Sequence, residues 1–404
     1  MPNPLSDTTI ALVKASVPLL ADHGTEITKA MYLKLFENDD IRQLFNHANQ
    51  GENGAQVHAL AGAILRYAQH IDDLGALGSL VERVAFKHVG YHILPEHYPF
   101  VADALIAAIA EILGDAATSD ILAAWGEAYW FLAEILMGRE AVLRHEIEAA
   151  EGGWRGWRRF VVTGKTRESE VITSFRLEPE DGRPALRHKP GQYLTLRLPL
   201  SDADVLKRNY SISSAPDGRG YRISVKREAG GQGGSRFLHD RIQIGDSLDV
   251  TPPAGDFHLP PALARPLVLL SGGVGLTPMM SMVETIADES LPVDVYFVHG
   301  ALNSASRAMA ERLADIAASH PNIRVSTFFS EPGAADRLGE THDAEGFITA
   351  DWLAANTPLF DADIFLCGPK PFLRSLVSPL VARGVAGHQV HYEFFGPSDE
   401  LLAA

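Results

Sequence analysis

The sequence predicts a multidomain chain: an all-α domain over residues 1–150, an antiparallel β-barrel over 151–260 and an α/β doubly wound domain over 261–404. Three observations carry this. At 404 residues the chain is too long for one hydrophobic core, since single domains run to roughly 100–200 residues. Apolar residues recur at three- and four-residue spacing through the first 150 positions, then alternate in short runs after the Gly152–Gly153 pair. Past "HLPPALARP", fully apolar runs alternate with helical stretches, the pattern of a parallel sheet covered on both faces.

The elements follow in order. "MPNPLSDTTIALVKASVPLL" lacks the basic region and cleavage site of a signal peptide, and Ser6 or Asp7 reads as a helix N-cap. Val57, Leu60, Ala61, Ile64, Leu65, Ala68 and Ile71 form one buried helical stripe, too wide for a coiled-coil seam. A long last helix begins at "SDIL", with Ser119 as its expected cap. The helix breaks at "EGGWRGW", and the runs "VITSFRLEP", "QYLTLRLPL" and "YRISVKRE", separated by Pro, Gly and Asp turns, predict the barrel. "PLVLLSGG", "VDVYFVHG", "NIRVSTFFS", "DIFLCGP" and "HQVHYEFF" predict the strands of the last domain.

Composition narrows the function. With 46% hydrophobic and 21% charged residues the whole chain is expected to fold. A formal charge of −16 repels phosphate backbones and anionic lipid, so no nucleic-acid partner is expected. Cys367 is the single cysteine, which rules out an internal disulfide framework and CxxC metal sites and fits a reducing, cytoplasmic setting. No apolar run approaches the roughly 18–20 residues of a membrane span.

The C-terminal half carries two candidate phosphate cradles. In "LLSGGVGLTP" a buried strand runs into Gly272, Gly273, Val274, Gly275 and Leu276, with Thr277 and Pro278 suited to N-cap and N1 of a helix whose free N–H groups face an anion. The alternative is a glycine turn that serves packing alone. In the barrel, "RNYS" leads a strand: Arg208 suits a phosphate, Tyr210 offers a flat ring and Ser211 a small donor, with Asn209 between them. Gly230, Gly231, Gly233 and Gly234 then run into Ser235, an expected cap. Taken singly, Tyr210 reads equally as an ordinary strand aromatic.

With "LCGP" at 366–369 and "YEFFGP" at 392–397, these motifs resemble the ferredoxin–NADP reductase superfamily. The resemblance implies that Arg208, Asn209, Tyr210 and Ser211 hold FAD, with Tyr193 of "PGQYL" beside it and Gly234 and Ser235 as part of its cradle. Phe394 and Phe395 would cover the ring, followed by Gly396 and Pro397. The glycine turn, with Cys367, Gly368 and Pro369, would bind NADH or NADPH. Arg307, after the second sheet strand, is a candidate for the extra phosphate of NADPH; NADH is the preferred reading.

A reductase needs an acceptor, and the helical domain supplies a candidate. Val81, Val84, Ala85 and His88 share one face, while Lys87 turns away and His92 and His97 fall near a turn. A lone histidine on an apolar face is more often a hydrogen-bonded core residue. Glu140, however, continues the stripe Tyr129, Leu132, Ala133 and Leu136, and Tyr98 follows His88 closely enough to partner it. The alternative for Glu140 is a helix that surfaces at "MGRE". Tyr32, Phe45, and Gln56 with Leu60 four residues on complete a second group.

Together these residues and those of the C-terminal half resemble the flavohaemoglobins over essentially the whole chain. The resemblance implies a globin domain carrying haem b, with His88 as the proximal iron ligand, Tyr98 and Glu140 behind it, and Tyr32, Gln56 and Leu60 in the distal pocket with Phe45 on the porphyrin. Lys87 and Glu393 would tune the haem and flavin potentials. It further implies a nitric oxide dioxygenase that converts NO and O2 to nitrate with electrons from NAD(P)H through FAD to haem, acting as a monomer without an obligate protein partner. Two alternatives stay open: reduction of O2 or organic peroxides through the same haem, and oxygen binding or sensing.

Overall fold

The computed structural model describes residues 3–42, 44, 55–201, 205–228, 230 and 233–395. The chain divides into two compact units, one holding the residues up to Ala149 and the other Ala150–Phe395.

The first unit is all helix: α1 (Asp7–Ala15), α2 (Val17–Leu35), α3 (Asp39–Arg42), α4 (Ala55–Gln69), α5 (Gly78–Gly90), α6 (Tyr98–Leu113) and α7 (Ser119–Ala149). Ser6 caps α1 through an extended backbone and accepts from Thr9 N–H at 3.0 Å. At α7 the cap is Thr118, whose hydroxyl accepts from Ile121 N–H at 3.4 Å, and not Ser119, which is already helical. Along α4 the expected stripe is buried at Val57 and Ala68, and at Ile71 just past the helix end, while Leu60, Ile64 and Leu65 are half-buried. Trp125 fills the centre of the core and donates its indole N–H to Ser16 Oγ at 3.1 Å.

The end of α5 is set by an unexpected residue. His92 adopts φ 58°, a left-handed conformation that usually falls to glycine. Its N–H bonds Val89 O at 3.1 Å and Ile93 N–H bonds His88 O at 2.8 Å, the paired pattern of a Schellman termination. His97 then accepts from Leu94 N–H through Nδ1 at 2.9 Å, which closes the next turn. Both histidines therefore have backbone roles.

The second unit contains two six-stranded sheets. The first comprises β1 (Arg158–Arg167), β2 (Ile172–Pro179), β3 (Tyr193–Pro199), β4 (Val205–Ser211), β5 (Tyr221–Lys226) and, after α8 (Gly234–Asp240), β6 (Ser247–Val250). Its order β4-β3-β6-β1-β2-β5 is antiparallel throughout, and an Ile212–Ile223 bridge joins the two edges into a barrel around Phe160, Phe175, Leu194 and Ile223. "RNYS" ends β4 rather than leading a strand, because pairing with β3 begins at Val205.

The second sheet is wholly parallel. It is built from β7 (Leu267–Gly272), α9 (Leu276–Asp288), β8 (Val295–Ala301), α10 (Ala310–Ser319), β9 (Ile323–Phe329), β10 (Ala344–Glu345), α11 (Ala350–Asn356), β11 (Asp363–Cys367), α12 (Lys370–Ala382) and β12 (Val390–Glu393). The order β10-β9-β8-β7-β11-β12 reverses between β7 and β11, and a doubly wound sheet takes its ligand at the carboxyl ends of the strands flanking such a reversal. "HQVHYEFF" contributes only the four residues of β12; Phe394 and Phe395 lie beyond the pairing with β11. Among the described residues no helix is long and apolar enough to cross a membrane.

Candidate active site

In the helical unit the sequence-selected groups meet. His88 Nδ1 stands 2.7 Å from Glu140 Oε1 and 3.0 Å from Tyr98 OH, and Tyr98 OH donates to the same carboxylate oxygen at 2.5 Å. Glu140 is 0% exposed, so the reading in which α7 surfaces at "MGRE" does not hold. Burial pushes the Glu140 carboxyl upward, but hydrogen bonds from His88, Tyr98 and Arg144 outweigh it and hold the group below its ordinary range. The Tyr98 hydroxyl is driven far up, first by burial and then by the Glu140 charge, so it stays a proton donor. A carboxylate acceptor fixes the proton on Nδ1 and leaves Nε2 as the nitrogen that can bind.

Arg144 belongs to this group, although nothing in the sequence distinguishes it. It lies one turn after Glu140, a spacing that on most helices marks a solvated pair. Here its Nη2 donates to Glu140 Oε2 at 3.0 Å and also to the Ile93 carbonyl.

These residues fit a single-histidine prosthetic group. Val81 and Val84, on the His88 face of α5, pack with Ile93, Leu132 and Met137 around Tyr98 and Leu136 but remain half-buried. Among the described residues no cluster of three or more His, Cys, Asp or Glu is arranged to hold a metal ion, and His88, with Nε2 as the nitrogen left to bind, suits the part of one protein ligand to a metal carried by such a group. In the second group, Tyr32 is 6% exposed, stacks on Phe36 at 5.5 Å and lies in the same core against which Leu60 packs. Phe45 lies outside the described residues, as does the side chain of Gln56, whose backbone is in α4. Lys87 is exposed.

In the barrel, register places Tyr193 opposite Ser211 and Leu194 opposite Tyr210. Gly234 lies against both Arg208 and Tyr210: a Cβ there would stand 3.1 Å from Arg208 Cγ and 3.4 Å from Tyr210 OH. Gly255, at φ +117°, approaches the Tyr193 ring to 3.0 Å in the same sense. A side chain at Gly234 would crowd Arg208 and Tyr210, and one at Gly255 would crowd the Tyr193 ring and strain a backbone at φ +117°, so glycine gives these three residues room beside the chain. Asn209 accepts from the Thr195 hydroxyl at 2.9 Å. Ser235 is not the cap of α8: Gly233 holds that position, and Ser235 Oγ instead accepts from Glu228 N–H at 3.2 Å. Gly231, Gly396 and Pro397 lie outside the described residues. Phe394 is half-buried and Phe395 is 46% exposed.

At the sheet reversal the glycine turn and the "CGP" segment touch backbone to backbone. A Cβ on Gly275 would fall 2.1 Å from the Cys367 carbonyl oxygen, and one on Gly368 would fall 2.6 Å from the Phe372 ring. Gly272 also faces Phe372 and Pro369. Gly273 differs: it has φ +55°, and among the described residues no atom beyond its chain neighbours comes within 4 Å of its would-be Cβ. Packing therefore explains Gly275 and Gly368, whereas the face of Gly273 is open to a ligand. The helix begins two residues earlier than expected, with Gly275 as cap and Val274 and Leu276 flanking it; Thr277 and Pro278 sit inside the first turn, and Thr277 Oγ1 donates to Val274 O at 3.0 Å. Pro278 is tolerated there because the first-turn N–H groups have no helical acceptor.

Cys367 is buried, and burial followed by the charge of Glu393, its register neighbour on β12, pushes the thiol well up. His299, which the sequence did not single out, hydrogen-bonds Ser271 Oγ at 2.8 Å beneath the turn, and burial lowers it to about 3. Arg307 donates to the Thr341 carbonyl at 3.2 Å.

Known proteins extend these observations. Family models for a globin, an oxidoreductase FAD-binding domain and an oxidoreductase NAD-binding domain match residues 29–136, 159–259 and 269–377. The chain is 55% identical over 397 residues to a flavohemoprotein of Xylella fastidiosa, covering 98% of each chain. It superimposes on the crystal structure of a flavohemoglobin from Malassezia yamatoensis with bound FAD and heme at TM-score 0.87 and 28% identity, over 98% of this chain and 100% of that one. The FAD/NAD binding domain of a nitric oxide dioxygenase from Vibrio cholerae matches at TM-score 0.54 and 36% identity, over 60% of this chain and all of that one.

Proposed function

Since this chain belongs to the flavohemoprotein family, we propose that it is an NADH-dependent nitric oxide dioxygenase, with a haem-carrying domain over 1–150, an FAD-binding domain over 151–260 and a nicotinamide-binding domain over 261–404. The observation that carries the proposal is the wholly buried Glu140 carboxylate behind His88. Leaving a carboxylate in an apolar interior is costly unless its charge is used. A globin that only stored or sensed oxygen would need no such group, and still less an attached reductase.

When bound, FAD would take a hydride from the nicotinamide and release its electrons singly, and haem would supply the iron at which O2 and NO combine. His88 would hold that iron through Nε2. Glu140, accepting from Nδ1, makes the imidazole a stronger donor, and Tyr98 fixes the carboxylate oxygen that does so. The Tyr32 hydroxyl would donate a hydrogen bond to bound oxygen, Gln56 and Leu60 would line the same pocket, and Phe45 would pack on the porphyrin. Arg208, Asn209, Tyr210 and Ser211, with Tyr193, Gly234 and Ser235, would hold the flavin, and Phe394, Phe395, Gly396 and Pro397 would close over it. Gly272, Gly273, Val274, Gly275, Leu276, Thr277 and Pro278, with Cys367, Gly368 and Pro369, would take the nicotinamide nucleotide. Lys87 and Glu393 would adjust the two potentials by charge. NADH is preferred because Arg307 is engaged by the Thr341 carbonyl.

Spectroscopy tests the assignment. The purified protein should show a Soret band and flavin absorption, and NADH should reduce both in stopped flow. His88→Ala should lose the Soret band and keep the flavin. A haem that stays ferric with NADH would leave only binding or sensing, and an unchanged Soret band in His88→Ala would remove His88 as ligand.

A further inference from the structure

We propose that Arg144 is a positioning residue of the His88 group, closing a ring of hydrogen bonds that ties the imidazole to its own backbone. The inference rests on the reading that His88 binds haem iron. The ring runs from His88 Nδ1 to Glu140 Oε1 at 2.7 Å, from Glu140 Oε2 to Arg144 Nη2 at 3.0 Å, from the same Nη2 to the Ile93 carbonyl, and from Ile93 N–H back to the His88 carbonyl at 2.8 Å. Tyr98 braces Oε1 from the side at 2.5 Å.

Each link has a physical reason. Glu140 sits on a helix and is 0% exposed, so its second oxygen has no access to water and needs a protein donor. The guanidinium Nη2 carries two N–H bonds, enough for both Oε2 and the Ile93 carbonyl, and its plane fixes their relative direction. The Ile93 carbonyl belongs to the Schellman turn made possible by His92 at φ 58°. Arg144 thus references α7 to the last turn of α5, the turn that carries His88. The Arg144 side chain is 15% exposed, so little water competes for its bonds. Without it the carboxylate would turn to share its remaining donors between two oxygens, and the Nδ1 bond would lengthen and lose a single direction.

The test uses the haem-loaded full chain and reads the iron–histidine stretch of the ferrous protein by resonance Raman, with NADH reduction of the flavin as a check on the rest of the molecule. Arg144→Met should move the band to lower frequency and broaden it, and NO consumption should fall by about tenfold, the lower end of the effect of losing an outer partner of a metal ligand. Arg144→Lys retains a donor for Oε2 but not the planar fork, and should give a smaller shift with the same broadening. An unshifted, narrow band in loaded Arg144→Met overturns the proposal. If Arg144→Met does not load haem, Arg144→Lys decides: a wild-type band in that variant shows that charge alone suffices and overturns the ring. A wild-type protein with no iron–histidine band would instead refute the ligand assignment of His88, whatever Arg144 does.

Discussion

Gly273→Ala separates a glycine turn that packs from one that receives a nucleotide. At φ +55° an alanine costs roughly 1–2 kcal/mol of backbone strain, and among the described residues its methyl meets no atom beyond its chain neighbours within 4 Å. The protein alone therefore predicts a loss of about 1–2 kcal/mol of stability, or about 2–8 °C in Tm for a domain of this size. If the pyrophosphate approaches this open face, the methyl occupies the same space. The KM for NADH should then rise at least about tenfold, equivalent to about 1.4 kcal/mol, with flavin reduction at saturating NADH little changed. Gly275→Ala is the internal comparison. Its Cβ would lie 2.1 Å from the Cys367 oxygen, where ordinary contacts begin at 3.4 Å, so the two turns must part by about 1 Å. Overpacking on that scale costs about 1–3 kcal/mol and should lower stability and NADH affinity together. Stopped-flow flavin reduction over a range of NADH, beside thermal unfolding, measures both. A KM within twofold of wild type in Gly273→Ala, with the Tm loss present, would return the turn to a packing role.

Three other outcomes are expected. Glu140→Gln leaves His88, Tyr98 and Arg144 competing for one acceptor, so NO consumption should drop about 10–100-fold while flavin reduction by NADH is retained; equal turnover would show that the carboxylate is not used. Gly255→Ala would press a methyl against the Tyr193 ring at 3.0 Å and should weaken FAD retention, seen as flavin loss on gel filtration; full retention would separate Tyr193 from the flavin. His188 and His299, both buried, are lowered by burial to about 4 and about 3, so the folded protein holds them neutral while the unfolded chain takes up protons below about pH 6.5. Their contribution is complete above that pH and lost on acidification toward their folded values. Between about pH 6.5 and pH 5 each should cost about 2 kcal/mol, read as a falling urea midpoint for flavin release; a midpoint that rises on acidification would contradict this.

Much of this architecture was legible because burial imposes a period. His88 and Glu140 stand out by helical spacing and Tyr98 by its closeness to His88 along the chain, and their meeting across three helices needs only that each face inward. Arg144 was missed because an arginine four residues after a glutamate looks the same on a solvated face and in a buried clamp. Caps were less legible than helices: Thr118, Gly233 and Gly275 hold positions expected of Ser119, Ser235 and Thr277, since a first turn often carries several hydroxyls and only backbone geometry selects among them. "RNYS" has the look of a strand start but ends one, because the onset of β4 depends on pairing with β3. His299 gave no periodic signal; its role appears only when β7 and β8 align Ser271 beside it.

The most direct measurement is nitrate yield. The protein, supplied with NADH, O2 and isotopically labelled NO, should form labelled nitrate one for one with NO consumed, and His88→Ala should form none. NADH oxidation that proceeds without labelled nitrate, with O2 or an organic peroxide as the oxidant, would contradict a nitric oxide dioxygenase.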